Sequence, residues 1–212
     1  MFPRSTRPVV RALLALLLTC VVPAHAADAP PALLVLGDSV SAGYGLPAGK
    51  GWVTLLDARL KADGYHYTVV NGSISGDTTA GGRTRLPALL AQHKPAIVVI
   101  ELGGNDALRG GNLGATRTNL ENMVTAAQDA KARVMIVGMQ LPSNYGPAYV
   151  KDFSALFGDV AKAKRVPLVP AFFAGFGEDL ALFQPDRIHP TAEAQAKLLD
   201  NVWPTLQTLL RK

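Results

Sequence analysis

Leu33-Leu34-Val35-Leu36-Gly37-Asp38-Ser39-Val40 is a short apolar run closed by three turn-forming residues, the pattern of a strand that ends in a tight loop. Similar apolar or β-branched runs recur at Tyr67 to Val70, Ile97 to Leu102, Val134 to Val137 and Pro167 to Val169. Between them stand longer stretches with helical spacing. Trp52 to Ala62 places Trp52, Leu55, Leu56, Arg59 and Leu60 on one face, and Leu113 to Ala130 and Tyr149 to Lys164 are also amphipathic. Strands alternating with helices predict a parallel sheet with crossover helices, hence one three-layer α/β domain of about five strands. The last stretch, Thr191 to Leu210, is expected to lay its apolar side on the sheet, with Pro204 kinking or splitting it. No repeat or low-complexity tract interrupts the chain, and the Ala/Pro-rich Ala27 to Ala32 is its one linker.

The first 26 residues have another purpose. Arg4, Arg7 and Arg11 precede the apolar Ala12 to Val22, and Ala24-His25-Ala26 has the small-x-small pattern of a signal-peptidase site. Residues 1–26 are therefore expected to be a signal peptide cleaved near Ala26, leaving 27–212 as a single periplasmic or secreted domain. The apolar run is about half the ~20 residues that span a bilayer, so no stable membrane span is expected in the mature chain. Without the leader, Lys+Arg falls from 21 to 18 against 16 acids, and the net charge from +5 to +2. No basic cluster is interleaved with aromatics, so nucleic-acid binding has no support. Cys20, the single cysteine, lies in the leader, and the mature domain has no disulfide. In Leu17-Leu18-Thr19-Cys20, Thr19 stands where lipoprotein signals carry Gly, Ala or Ser, so lipidation is not expected.

The candidate chemistry follows the predicted strands, on the edge where open parallel sheets bind ligands. Ser39 follows the first run, Gly76 the second, Gly103-Gly104-Asn105-Asp106 the third, and Asp186 with His189 the fifth. A serine hydroxyl becomes a nucleophile when an imidazole takes its proton, and that imidazole needs a carboxylate to fix its tautomer. In Asp186-Arg187-Ile188-His189-Pro190 one tight loop can present both groups. Gly-Asp-Ser alone is equally a turn; the partners elsewhere in the chain make Ser39 a candidate nucleophile. Ser41 occupies the position of the second glycine in Gly-x-Ser-x-Gly, which argues against the α/β-hydrolase elbow. Gly76 can offer a backbone N–H, and Asn105 a side-chain amide, to a developing oxyanion, although each also suits a plain turn. Asp106 is expected to be a structural hydrogen-bonder. His66 and His93 are read as surface residues, and no second His or Cys pairs with Asp186 and His189 at metal-binding spacing.

These blocks together resemble the SGNH or GDSL hydrolases, specifically the exported bacterial thioesterase, lysophospholipase and arylesterase branch. The resemblance runs through residues 36–45, Ser73-Ile74-Ser75-Gly76-Asp77-Thr78, residues 99–106, Leu141-Pro142-Ser143-Asn144-Tyr145-Gly146 and residues 186–190. It implies a flavodoxin-like sheet of order 2-1-3-4-5, Ser39 as nucleophile, His189 as base backed by Asp186, and Ser39, Gly76 and Asn105 as oxyanion donors. No metal or cofactor is implied. Val40 replaces the leucine of the GDSL name, and the segment Ala107 to Gly114 matches the family's substrate loop only loosely, so acyl-chain preference is the least transferable property. Hydrophobic wall candidates are Leu46, Leu108, Leu141, Tyr145, Phe172, Phe173 and Phe176, any of which can instead be core. The expected activity is hydrolysis of acyl esters and thioesters through an acyl-serine, with lysophospholipids and short acyl or aryl esters favoured by export, in a monomer. A carbohydrate acetylesterase or acyltransferase is the alternative enzyme, and a non-catalytic acyl-lipid binding protein the alternative of another class.

Overall fold

Five parallel strands, β1 (Ala32–Gly37), β2 (Thr68–Asn71), β3 (Ile97–Glu101), β4 (Arg133–Val137) and β5 (Leu168–Val169), form one sheet in the order β2-β1-β3-β4-β5. These come from a computed structural model, which describes residues 29–212. The leader expected at 1–26, with Cys20 and the cleavage point at Ala26, lies outside the described residues. The sheet order is the flavodoxin-like one that the resemblance implied. Leu33 to Leu36 on β1 and Ile97 to Ile100 on β3 are fully buried, because both central strands are covered on both faces. Each such side chain removed from water contributes roughly 1.5–3 kcal/mol.

Among the described residues, seven helices make the outer layers: α1 (Ser39–Ala42), α2 (Trp52–Ala62), α3 (Thr79–His93), α4 (Gly104–Leu108), α5 (Leu113–Asp129), α6 (Pro147–Lys164) and α7 (Gln195–Gln207). α2 packs with α7 on one face, while α3, α5 and α6 pack side by side on the other. This division follows from handedness. The chain steps from β1 outward to β2 through α2, then reverses across β1 to β3, β4 and β5, and right-handed crossovers place the helices of the two directions on opposite faces. The reversal point lies beside β1, where Ser39 is.

The structure departs from the sequence expectations in three places. Thr79–His93 forms a 15-residue helix that periodicity did not signal, since Gly81, Gly82 and Pro87 interrupt its apolar pattern. Its start is fixed by the Thr78 side chain, which accepts the N–H of Gly81. Pro204 does not split the final segment: α7 runs through it, after a 3-10 turn at Ala192–Ala194. Pro87 and Pro204 are exposed, as are Arg83 and Asp200 four residues before them, so water can take the carbonyls each proline leaves without an N–H. β5 has only two residues, and the chain from it to α7 is a long loop. No helix among the described residues is long and apolar enough to cross a membrane.

Candidate active site

All the loops that leave the C-terminal ends of β1, β2, β3 and β5 border one open cleft of about 1450 Å³. Ser39 is the first residue of α1, so its backbone N–H has no carbonyl one turn back to bind within the helix. Asp38 caps that helix, its Oδ1 accepting the N–H of Val40 at 3.0 Å. Gly37 is required by close approach: a Cβ there would lie 2.6 Å from Glu101 Oε2 and 2.7 Å from Ser41 Cβ. Gly37 and Glu101 pair at the last register position of β1 and β3, which brings a carboxyl under the nucleophile turn.

Ser39 Oγ stands 2.8 Å from His189 Nε2, and His189 Nδ1 stands 2.7 Å from Asp186 Oδ2. The two side chains, three positions apart, meet within one loop. Asp186 Oδ1 accepts the N–H groups of Ile188 and His189 at 2.9 and 3.0 Å, so one carboxylate both shapes the loop and holds the ring. Partial burial pushes the Asp186 carboxyl up, but the His189 backbone N–H, the imidazole and the Ile188 N–H outweigh it and hold the group below its usual range. The loop is also clipped from outside. Gln184 Nε2 donates to the Tyr44 carbonyl at 2.8 Å and the Pro190 carbonyl at 3.2 Å, while the Tyr44 ring lies 4.6 Å from the His189 ring.

Gly76 and Asn105 both line the cleft with Ser39. Gly76 has φ +79°, a conformation that other residues adopt only with strain. Its loop is braced by Arg85 of α3, which donates to Asp77 Oδ2 at 2.7 Å, to the Gly72 carbonyl, and to the Gly37 carbonyl at 3.2 Å. Arg109 donates to the Gly76 carbonyl at 3.1 Å and so ties that loop to the end of α4. Asn105 Nδ2 donates to Asp38 Oδ2 at 3.1 Å. Asp106 behaves as the structural hydrogen-bonder it was taken for, accepting from the N–H and hydroxyl of Thr79 at the start of α3.

The apolar wall separates the candidates. Leu108, Leu141, Tyr145, Phe173 and Phe176 line the cleft. Phe172 does not; it is fully buried, 5.6 Å edge-on from Trp52, and belongs to the core. Leu46 faces a small recess with Gly43, Pro190 and Gln195 and is also absent from the cleft wall. The Ala107 to Gly114 segment is held by two tyrosines, Tyr145 Oη donating to the Leu108 carbonyl at 3.2 Å and Tyr149 Oη to the Gly111 carbonyl at 2.8 Å. His66 is exposed and His93 half-buried, and neither lines the cleft. Among the described residues, no three His, Cys, Asp or Glu side chains gather as a metal site requires.

Four residues around the site had no role assigned from the sequence: Asp38, Glu101, Tyr44 and Gln184. Asp38 and Glu101 are buried. Burial raises the Asp38 carboxyl to about 6, and burial with the nearby Asp38 charge raises Glu101 well above the usual carboxylate range. The signal for Asp38 was present in Gly-Asp-Ser, but its contact with Asn105 spans 67 positions and shows only in the fold.

Residues 35–197 match the model of the GDSL-like lipase/acylhydrolase family. Esterase TesA of Pseudomonas aeruginosa is 54% identical over 178 residues, which cover 84% of this chain and 89% of that protein. Thioesterase 1/protease 1/lysophospholipase L1 of Escherichia coli (strain K12) is 41% identical over 184 residues, covering 87% of each. The crystal structure of TesA superposes with a TM-score of 0.83 at 54% identity, over 84% of this chain and 99% of that one.

Proposed function

This chain belongs to the GDSL-like lipase/acylhydrolase family, and on that premise we propose that it is a serine esterase hydrolysing acyl esters and thioesters through an acyl-serine. The Ser39, His189 and Asp186 contacts at 2.8 and 2.7 Å, in a cleft with an apolar wall, carry this reading. His189 Nε2 takes the proton of Ser39 Oγ, and Oγ bonds to the carbonyl carbon. The oxygen that becomes negative is met by the Ser39 and Gly76 N–H groups and the Asn105 amide. Collapse breaks the bond to the alcohol or thiol, which leaves with the proton from His189. Water then gives a proton to His189 and attacks the acyl-serine, and the acid departs as Ser39 regains its proton. Asp186 keeps Nδ1 protonated throughout.

Leu108, Leu141, Tyr145, Phe173 and Phe176 supply an apolar wall for an acyl chain, which supports lysophospholipids, medium-chain esters and aryl esters over acetylated sugars. The basic leader and Ala24-His25-Ala26 support action in the periplasm or beyond, after cleavage near Ala26. The test is labelling by a fluorophosphonate together with turnover of an aryl ester. Ser39→Ala is expected to lose both while keeping its melting curve; a labelled Ser39→Ala protein, or one retaining more than a few per cent of turnover, places the nucleophile elsewhere. N-terminal sequencing of protein from the periplasmic fraction tests the leader, with Ala27 the expected first residue.

A further inference from the structure

We propose that Asp38 is a positioning residue that holds the Asn105 amide with its N–H groups, rather than its oxygen, toward the oxyanion. The inference rests on reading Asn105 as an oxyanion donor and adds what makes it one. An asparagine amide is close to symmetric in shape, so only hydrogen bonding decides which end faces a substrate. The one hydrogen bond described for the Asn105 side chain is Nδ2 to Asp38 Oδ2, at 3.1 Å. An ionised carboxylate accepts and cannot donate, so it admits only the NH₂ end. One N–H is then spent on Asp38 and the second is left for the cleft that Asn105 lines. Turned round, the amide would aim an oxygen lone pair at a developing negative charge and repel it.

Asp38 is itself held so that it cannot adapt. It is 2% exposed, and its other oxygen is fixed by the Val40 N–H at the start of α1. The arrangement needs Asp38 to be charged, and with its carboxyl raised only to about 6 it is mostly ionised at neutral pH. Glu101 from β3, His189 from the loop after β5, Asp77 from the loop after β2 and Asn105 from α4 are the polar and titratable groups around it. Burial, the largest influence, and Asp77 oppose the anion, while the Val40 N–H, His189 and the Asn105 amide favour it without fully offsetting them. Glu101 is pushed up further, by full burial and by the Asp38 charge, so Asp38 is the member of the pair that ionises more readily.

Asp38→Asn tests the inference without changing shape. Its oxygen is retained by the Val40 N–H, so its NH₂ faces Asn105 and turns that amide over. On an aryl ester kcat is expected to fall about 10²-fold, the effect of one lost oxyanion donor, with KM within about threefold. The Asp38→Asn/Asn105→Ala double variant is expected to match Asn105→Ala within about threefold, because both act through one group. Unchanged kcat in folded Asp38→Asn overturns the proposal. So does a double variant that loses the full Asp38→Asn factor again, which would mean that Asp38 acts on Ser39 or on the fold. If Asn105→Ala alone keeps kcat, the oxyanion reading of Asn105 fails, and this proposal with it. Should Asp38→Asn not fold, the ratio of wild-type to Asn105→Ala kcat is measured from pH 8 to pH 5. It is expected to shrink below about pH 6 as Asp38 gains a proton and becomes a donor, and a constant ratio overturns the proposal.

Discussion

Ser41 Oγ donates to Glu101 Oε2 at 2.6 Å while accepting the Trp52 indole N–H at 3.2 Å, so one hydroxyl joins the nucleophile turn to the end of β3 and the start of α2. The other oxygen of Glu101 is buried without a partner. Burial there disfavours the charged carboxylate, and glutamine is its neutral isostere.

Glu101→Gln is therefore expected to raise stability at neutral pH. The folded-state pKa of Glu101 lies above its unfolded value, so its favourable contribution is complete below about 4.5 and is lost as pH rises toward the folded value. Glutamine does not titrate. Its advantage should grow with pH and be smallest near pH 4, readable as a melting-temperature difference that widens with pH. A difference independent of pH would show that Glu101 is not the buried acid described.

Asp186→Asn is expected to lower kcat by about 10⁴ with the fold retained. The asparagine oxygen can keep the Ile188 and His189 N–H bonds, but its NH₂ then faces Nδ1 and forces the proton onto Nε2, the atom that must accept from Ser39. The stability effect has the opposite sign to that of Glu101. Asp186 is held below its usual pKa, so its contribution is present above the usual carboxylate range and lost as pH falls through the lowered value. Wild-type and variant melting temperatures should converge in acid.

Gln184→Ala should loosen the catalytic loop without touching the reacting groups. Its amide joins the Tyr44 and Pro190 carbonyls, Tyr44 packing its ring against His189 and Pro190 following it in the chain. A fall of about tenfold in kcat, with a loss of about 1 kcal/mol in stability, is expected. Steady-state kinetics normalised to folded protein would check it, and full kcat would make the clip dispensable.

Leu108→Ala removes apolar wall next to the oxyanion donor but leaves the Tyr145 hydrogen bond, which goes to the backbone carbonyl. Each buried methylene is worth about 0.8 kcal/mol, so kcat/KM for a medium-chain ester should drop severalfold while an acetyl ester is little affected. An equal loss on both substrates would move Leu108 out of the acyl subsite.

Much of this arrangement was legible in the chain because it rests on local rules. Apolar runs such as Leu33 to Leu36 and Ile97 to Ile100 mark buried strands, and the Asp186 to His189 spacing marks one loop with two functional ends. What was not legible depends on distant neighbours. α3 carries glycines and a proline that spoil its pattern, yet it is held by packing against α5 and by a Thr78 cap. Phe172 and Phe173 are adjacent and alike, and only the turn of the loop sends one to the core and the other to the cleft. Glu101 looks like a charged strand end until Gly37 is found beside it.

His189 and Asp186 are three positions apart, but His189 and Ser39 are separated by 150, and β1 occupies an interior place in the sheet. The carboxylate–imidazole half of the site can thus form within one short loop, whereas the complete site requires the beginning and end of the domain to meet. During refolding, helical signal and loop contacts should return before hydrolysis does. Recovered activity would then report the final docking of the chain's two ends, making enzyme assay a stricter probe of native assembly than any spectroscopic measure of secondary structure.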